Sequence, residues 1–296
     1  MKRVMITGAG GTVGSAVISA LLADKSMEYE IIAATSNVEK VNQKNSCLHV
    51  IPNDDIEKVL KKNEVDTLVH LAFPRNVESD QWAKGIAFSM DVLHMAQKYY
   101  VNKVINTSSQ SIYGLQREQA ADEESPIYLN SPYTTGKYCT EITVNEIFSD
   151  RPHTNIRLST IIGPSTRERV TNKFFSQIVR GEDIIVQGGG QVFSFLDVRD
   201  AASGFVSLIK SDGSIWKKAY NLGTHEYKTL LEIAQLAISI GKKFGYEKSK
   251  LIQQPTEIVL NNQIICSSFQ NDLHWEPVYD LEASMEYIFQ SAYHMK

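Results

Sequence analysis

The stretch that most restricts the fold is the amino end, where "RVMIT" (Arg3–Thr7) runs straight into "GAGGTVG" (Gly8–Gly14) and then "SAVISALLAD". A short apolar run, a glycine-rich turn and a helical pattern in that order make a strand–turn–helix unit. The alternation recurs. "YEIIAAT" reads as a second strand, "IEKVLKKNEVDTLVHLAF" as a helix and then a strand ending near His70, and "WAKGIAFSMDVLHMAQKYY" as a helix. "NKVINTSS", "YTTGKYCTEITVNEIF" and "TNIRLSTIIG" continue as strand, helix and strand. This rhythm predicts βαβ units, because parallel strands need crossovers and right-handed crossovers cover both faces of the sheet. The expected class is α/β, a doubly wound parallel sheet with ligands at the carboxyl ends of its strands.

Past Gly163-Pro164 the rhythm changes. "TRERVTNKFFSQIVRGEDIIVQGGGQVFSFLDVRD" mixes a helix, a short strand and a glycine cluster. "KTLLEIAQLAISIGKKFG" puts Leu230, Ile233, Ala234 and Ala237 on one helical face. A smaller C-terminal α/β lobe is expected here, with some segments returning to the sheet. The chain, at 296 residues, is long enough for both.

Charge and composition remove several classes of function. A formal net charge of −4 with no dense Lys/Arg block leaves nucleic-acid binding without an electrostatic footprint. No apolar run is long enough to span a bilayer, and glycines break the run after Lys2 and Arg3 too early for a signal peptide. Cys47, Cys139 and Cys266 are isolated, which fits thiols in a reducing cytoplasm. His225 and His274 have no partners at ligand spacing, so no metal site is expected.

The glycines at Gly8, Gly11 and Gly14 permit a tight turn, close backbone approach to a pyrophosphate and close helix–strand packing. The helix beginning near Thr12 and Val13 then turns unpaired N–H groups and its positive dipole end toward the phosphates. At the first strand–helix junction of a βαβ unit, this predicts a dinucleotide site. An acidic residue after the second strand would favour NAD by bonding the ribose 2′-hydroxyl. The stretch is Thr35-Ser36-Asn37, with no carboxylate before Glu39 and with Lys40 following, so the expectation leans to NADP over NAD. Leu71, Ala72 and Phe73 end the strand that should line the groove, and Arg75 follows in a loop facing substrate. His70 reads as a structural histidine close to the cofactor, and Asp200 equally as a helix cap or a ligand residue.

"NSPYTTGKYCTE" sets Tyr133 and Lys137 four residues apart, on one face of a helix. An ammonium near a phenol favours the phenolate and lowers its pKa, which suits proton transfer near neutral pH.

These motifs together resemble the extended short-chain dehydrogenase/reductases, in particular the NAD-dependent epimerase/dehydratase group that acts on sugar nucleotides. "TGAGGTVG" resembles that family's glycine turn, "VDTLVHLAF" its fourth strand, "NTSSQSIYG" its fifth, and "SPYTTGK" its Tyr-x-x-x-Lys. "RLSTIIGP", "YNLG", "LHWEP" and "DLE" follow in the family's order. The resemblance implies a Rossmann-type NAD(P)-binding domain over residues 1–162 with returning segments around 192–224, and a substrate lobe over 163–191 and 225–296. It implies Ser109 as the hydroxyl on the substrate oxygen, Tyr133 as general acid/base and Lys137 as the residue on the nicotinamide ribose. Thr107 and Asp54 are carried over to the cofactor, with Asn53 an alternative to Asp54. Gln110, Ser111, Thr160, Asn172, Lys173 and Phe193 are carried over to the substrate. A homodimer is implied as well.

The departures shape the expected chemistry. Dehydratases of the family hold Asp-Glu where this chain has Gln110-Ser111, so dehydration is not expected. Asn residues of the family are replaced by Gly85 and Thr160. The arginine that pairs with the nucleotide diphosphate falls at Phe193, which leaves Arg167, Arg169 or Lys173 to replace it. The expected activity is an NAD(P)-dependent epimerase or ketoreductase acting at a carbinol or ketone of a nucleotide sugar. An NADPH-dependent reductase of a non-sugar carbonyl and a non-catalytic NADP(H)-binding regulator are the alternatives.

Overall fold

The computed structural model describes residues 1–62, 64–74, 79–258 and 260–294. Elements alternate as expected through β1 (Lys2–Thr7), α1 (Thr12–Ala23), β2 (Tyr29–Thr35), β3 (Leu48–Pro52), α2 (Ile56–Lys62), β4 (Thr67–His70) and α3 (Ser79–Lys98). They continue with β5 (Lys103–Ser109), α4 (Pro132–Ile147), β6 (His153–Leu158) and β7 (Thr160–Ile162). The distal half contains α5 (Val170–Arg180), β8 (Ile184–Gln187), β9 (Val192–Phe193), β10 (Phe195–Asp197), α6 (Val198–Lys210) and β11 (Ala219–Leu222). It ends with β12 (Lys228–Thr229), α7 (Leu230–Lys243), β13 (Leu251–Gln254), α8 (Ser267–Leu273) and α9 (Leu281–Ala292).

Seven parallel strands form the main sheet in the order β11-β6-β5-β4-β1-β2-β3. The order reverses between β1 and β4, and a crevice must open there at the strands' carboxyl ends. Both faces are covered. On one, Val17, Ile18 and Leu21 of α1 and Phe205 and Leu208 of α6 pack against Val4, Ile6 and Ile31. On the other, Leu60 of α2, Val92 and Leu93 of α3 and Val144 of α4 pack against Met5, Ile32 and Leu68. Burial from both sides explains why β1 and β2 read as continuous apolar runs. Each fully buried large side chain there contributes about 1.5–3 kcal/mol.

The strand expected over "TNIRLSTIIG" is interrupted at Ser159. Its N–H is donated to the Leu222 carbonyl and its hydroxyl to the Ser194 carbonyl, so the chain leaves the main sheet and β7 pairs with β10 instead. A separate apolar cluster gathers Phe174, Phe175 and Ile178 of α5, Ile233, Ala234 and Ala237 of α7, and Met285, Ile288 and Phe289 of α9. Phe175 meets Phe289 edge-on at 4.9 Å between ring centres. From the same distal half, α6 and β11 return to the main sheet. Among the described residues no helix is long and apolar enough to cross a membrane.

Candidate active site

The turn after β1 brings Gly8 to φ +69°, a conformation that favours glycine. A Cβ at Gly8 would stand 2.8 Å from the Ala72 nitrogen, and one at Gly14 would stand 2.4 Å from the Gly8 carbonyl oxygen. The turn is thus pressed against the end of β4 and the start of α1. Gly11 caps α1 without a side-chain hydrogen bond, and the helix has no acidic residue in its first turn. Nothing on the helix therefore competes for the amino-terminal N–H groups, and the donor set fits a dinucleotide pyrophosphate.

Beneath the turn runs a hydrogen-bonded chain. Ser89 donates its hydroxyl to the Gly85 carbonyl, so it accepts from His70 Nε2 at 3.0 Å, and His70 Nδ1 accepts from Thr7 at 2.8 Å. Burial pushes the His70 pKa down to about 3, keeping the ring neutral in that tautomer. His70 is a structural residue tying β1, β4 and α3 together, as its sequence position suggested. Gly85 also receives the Pro74 ring, since a Cβ there would lie 2.2 Å from Pro74 Cδ. An asparagine side chain has no room at this position.

The start of α4 is fixed by its own sequence. Ser131 accepts from the Thr134 N–H at 3.2 Å, Thr134 accepts from the Ser131 N–H at 3.2 Å, and Pro132 occupies the first helical position. Tyr133 lies in the first turn. Lys137, one turn on, is buried and donates from Nζ to the Thr107 carbonyl at 2.6 Å. Desolvation pushes its pKa down to about 7, with Glu141 acting in the opposite direction. Phe73 bridges the pair: its ring centre is 4.7 Å from Lys137 Nζ and 5.9 Å from the Tyr133 ring, edge-on. Gly136 makes this possible, because a Cβ there would come within 2.5 Å of the Phe73 ring.

One cavity of about 280 Å³ is lined by Gly8, Gly11, Thr12, Val13 and Gly14, by Leu71 and Phe73, and by Thr107, Ser109, Gln110 and Ser111. Tyr133, Lys137 and Thr160 complete the expected residues along its wall. Ser109 Oγ accepts from the Ser111 N–H at 3.2 Å, which leaves its own proton to donate into the cavity. One of the three candidate cations and two residues not marked in the sequence, Thr166 and Asn262, join the site. Arg169 lines the cavity with its Nε donating to the Ile161 carbonyl at 3.1 Å, beside Glu168. Thr166, also in the wall, hydrogen-bonds Gly163. Asn262, from far along the chain, donates to Thr160 Oγ1 at 3.1 Å and accepts from the Ser194 N–H at 2.6 Å.

Other expected residues stand elsewhere. Ala72 supports the turn rather than lining the cavity. Thr35 closes β2 and accepts from the Asn37 N–H at 3.2 Å, while Ser36 and Asn37 are exposed. Asp54 is exposed in a short 3-10 turn after β3, whereas the neighbouring Asn53 has a buried Oδ1 with no partner. Asn172 is buried and donates to the Gly163 carbonyl. Lys173 shares a separate groove with Arg167 and Arg180. Phe193 stacks on Phe195 at 5.7 Å and is absent from the cavity wall. Arg75 lies outside the described residues. Asp200 accepts from the N–H groups of Val278 and Tyr279, so it fastens the chain before α9. Among the described residues no group of three or more His, Cys, Asp or Glu side chains is placed to hold a metal.

Comparison with known proteins agrees with the architecture. A putative UDP-glucose 4-epimerase of Methanocaldococcus jannaschii is 22% identical, with 96% of each chain covered. The solved dTDP-glucose 4,6-dehydratase of Bacillus anthracis, in complex with NAD, superposes with a TM-score of 0.83 at 22% identity, covering 98% of this chain and 96% of that one. The UDP-glucose 4-epimerase of Thermotoga maritima, with UDP-glucose, gives 0.82 at 21% identity and 97% coverage of both. Residues 4–223 match the NAD dependent epimerase/dehydratase family, and the chain belongs to that family.

Proposed function

We propose that the protein is an NAD(P)-dependent epimerase or ketoreductase acting at a carbinol or ketone carbon of a nucleotide sugar. The observation that carries this reading is the convergence of Ser109, Tyr133 and Lys137 on the cavity that opens beside the Gly8–Gly14 turn. The turn and the first N–H groups of α1 would hold the pyrophosphate, with Thr107 and Lys137 toward the nicotinamide ribose. The bound dinucleotide supplies the hydride acceptor or donor. Ser109 donates a hydrogen bond to the reacting oxygen and orients it. Tyr133 takes the proton from that oxygen in oxidation and returns it in reduction. Lys137, anchored on the Thr107 carbonyl, places positive charge near this oxygen pair when protonated. For epimerisation the keto sugar must turn within the cavity before Tyr133 gives the proton back.

Four finer assignments belong to this proposal. The absence of a carboxylate at Thr35-Ser36-Asn37 favours NADP, although related solved enzymes carry NAD. Arg169 is the cation assigned to the substrate diphosphate, since it alone of Arg167, Arg169 and Lys173 lines the cavity. The packed pair α3 and α4, which exposes Ile142, is the surface assigned to a homodimer. Residues 163–191 and 225–296 form the proposed substrate lobe.

A reductase of a non-sugar carbonyl is the second reading, favoured by Phe193 at the position of the family's diphosphate arginine. Thermal shift with UDP, dTDP and GDP separates the two. Stabilisation by one of them at millimolar concentration supports the sugar-nucleotide reading, and none by any supports the other. Denaturing the purified protein and identifying released dinucleotide tests the cycle: retained NAD fits a redox-neutral epimerase, and exchangeable NADPH fits a reductase.

A further inference from the structure

Residues 114–130 join the turn after Ser109 to the capped start of α4, and they enclose a second cavity of about 560 Å³. It shares no lining residue with the first. This loop carries four carboxylates, Glu118, Asp122, Glu123 and Glu124, and none of them lines the cavity. Asp122 accepts from the Ser125 hydroxyl at 2.7 Å, Glu123 accepts from the Asn221 N–H at 2.8 Å, and Glu118 and Glu124 are exposed. Among the described residues, Arg117 is the one charged side chain in the wall. Its guanidinium is half-buried, 5.8 Å from the centre of the Tyr113 ring, and no carboxylate among the described residues pairs with it. Desolvation pulls its pKa down to about 10. A partly desolvated cation without a counter-charge costs free energy until an anion reaches it.

Fastening the loop does not require that charge. Arg117 Nη1 donates to the Gly114 carbonyl and Nη2 to the Gln263 carbonyl. The main chain already ties the same segments: the Asn261 N–H is donated to the Leu115 carbonyl at 2.8 Å, the Ala121 N–H to the Gln263 carbonyl at 3.1 Å and the Ile265 N–H to the Ala121 carbonyl at 2.8 Å. Arg117 Nε is closed off, so one N–H on each terminal nitrogen remains beyond these carbonyls, a spacing that suits two oxygens of one oxyanion. Gln116, Gln119, Tyr128 and Asn130 add neutral donors to the wall. We propose that this cavity binds a small molecule through an oxyanion, carboxylate or phosphate, on Arg117, as a ligand other than the one turned over in the catalytic cavity. Turning four nearby carboxylates away from the wall keeps the site selective for negative charge.

The test is calorimetric titration of the full chain with inorganic phosphate and, separately, with malonate, at constant ionic strength in chloride. Wild type, Arg117→Gln, Ala120→Glu and Arg169→Gln are compared. Ala120 lines the same cavity, so Ala120→Glu places a carboxylate there without touching Arg117. Wild type and Arg169→Gln should bind at least one of the two anions, and Arg117→Gln and Ala120→Glu should each weaken that binding about tenfold or more. The tighter of the two anions tells a phosphate ligand from a carboxylate one. No binding of either anion by wild type at tens of millimolar overturns the proposal. So does binding that is lost only in Arg169→Gln, which would place the anion in the catalytic cavity. Melting without added anion is the second readout, should Arg117→Gln fail to fold. Ala120→Glu should melt at the wild-type temperature or higher, because it supplies the missing counter-charge, and a fall of about 2 °C or more would overturn the proposal.

Discussion

Lys137 offers a prediction whose size follows from its burial. The unfolded chain keeps this lysine protonated to about pH 10.4, while in the folded protein desolvation lowers its pKa to about 7. Between those values the unfolded state binds more protons than the folded state, so stability rises with pH across the window. Below pH 7 both states are protonated and the penalty for burying the charge is fully present. Integrated from pH 7 to pH 10, the gain is roughly 3.5 kcal/mol. The assay is urea unfolding of the protein without dinucleotide at several pH values in that range, for wild type and Lys137→Met. Titrations shared by both proteins cancel in the difference, as does the unpaired Thr107 carbonyl left by methionine. Wild type should gain about 3 kcal/mol relative to the variant between pH 7 and 10. A difference flat to about 0.5 kcal/mol, or one of opposite slope, would refute the argument that desolvation dominates over Glu141 at this site.

Other substitutions test the framework around it. Arg157 and Glu141 form a buried ion pair at 2.8 Å behind α4, so Arg157→Met should cost about 3–5 kcal/mol in urea unfolding by stranding the carboxylate. Gly8→Ala forces a side chain into positive φ against the Ala72 nitrogen; a loss of about 1–3 kcal/mol and weaker dinucleotide binding by calorimetry are expected. Arg169→Gln should weaken UDP binding about tenfold or more while leaving dinucleotide affinity unchanged, and equal weakening of both would place Arg169 on the cofactor.

Much of this architecture could be read from the chain because its determinants are local. β1, the glycine turn and the capped start of α4 declare themselves through contiguous residues: an apolar run, glycines at fixed offsets, and Ser131-Pro132 before Tyr133. The strand β3 went unread in the pattern because "LHVIP" lies at the sheet edge and mixes buried and exposed positions. The cavity wall was less legible. Asn262 reaches Thr160 across 102 residues of chain, and no local pattern marks such a contact. Gly136 carries meaning only once Phe73 is known to cross α4 there. Choosing Arg169 among three nearby cations likewise required the fold, because Lys173 lies on α5 and turns into another groove.

The central claim is proton transfer by Tyr133 coupled to hydride transfer. Its most direct test is turnover of a confirmed nucleotide sugar by wild type and Tyr133→Phe, with dinucleotide affinity measured on both. Removing the phenolic hydroxyl should lower kcat by about 10²–10⁴ with cofactor binding retained. Wild-type turnover in Tyr133→Phe would contradict the mechanism.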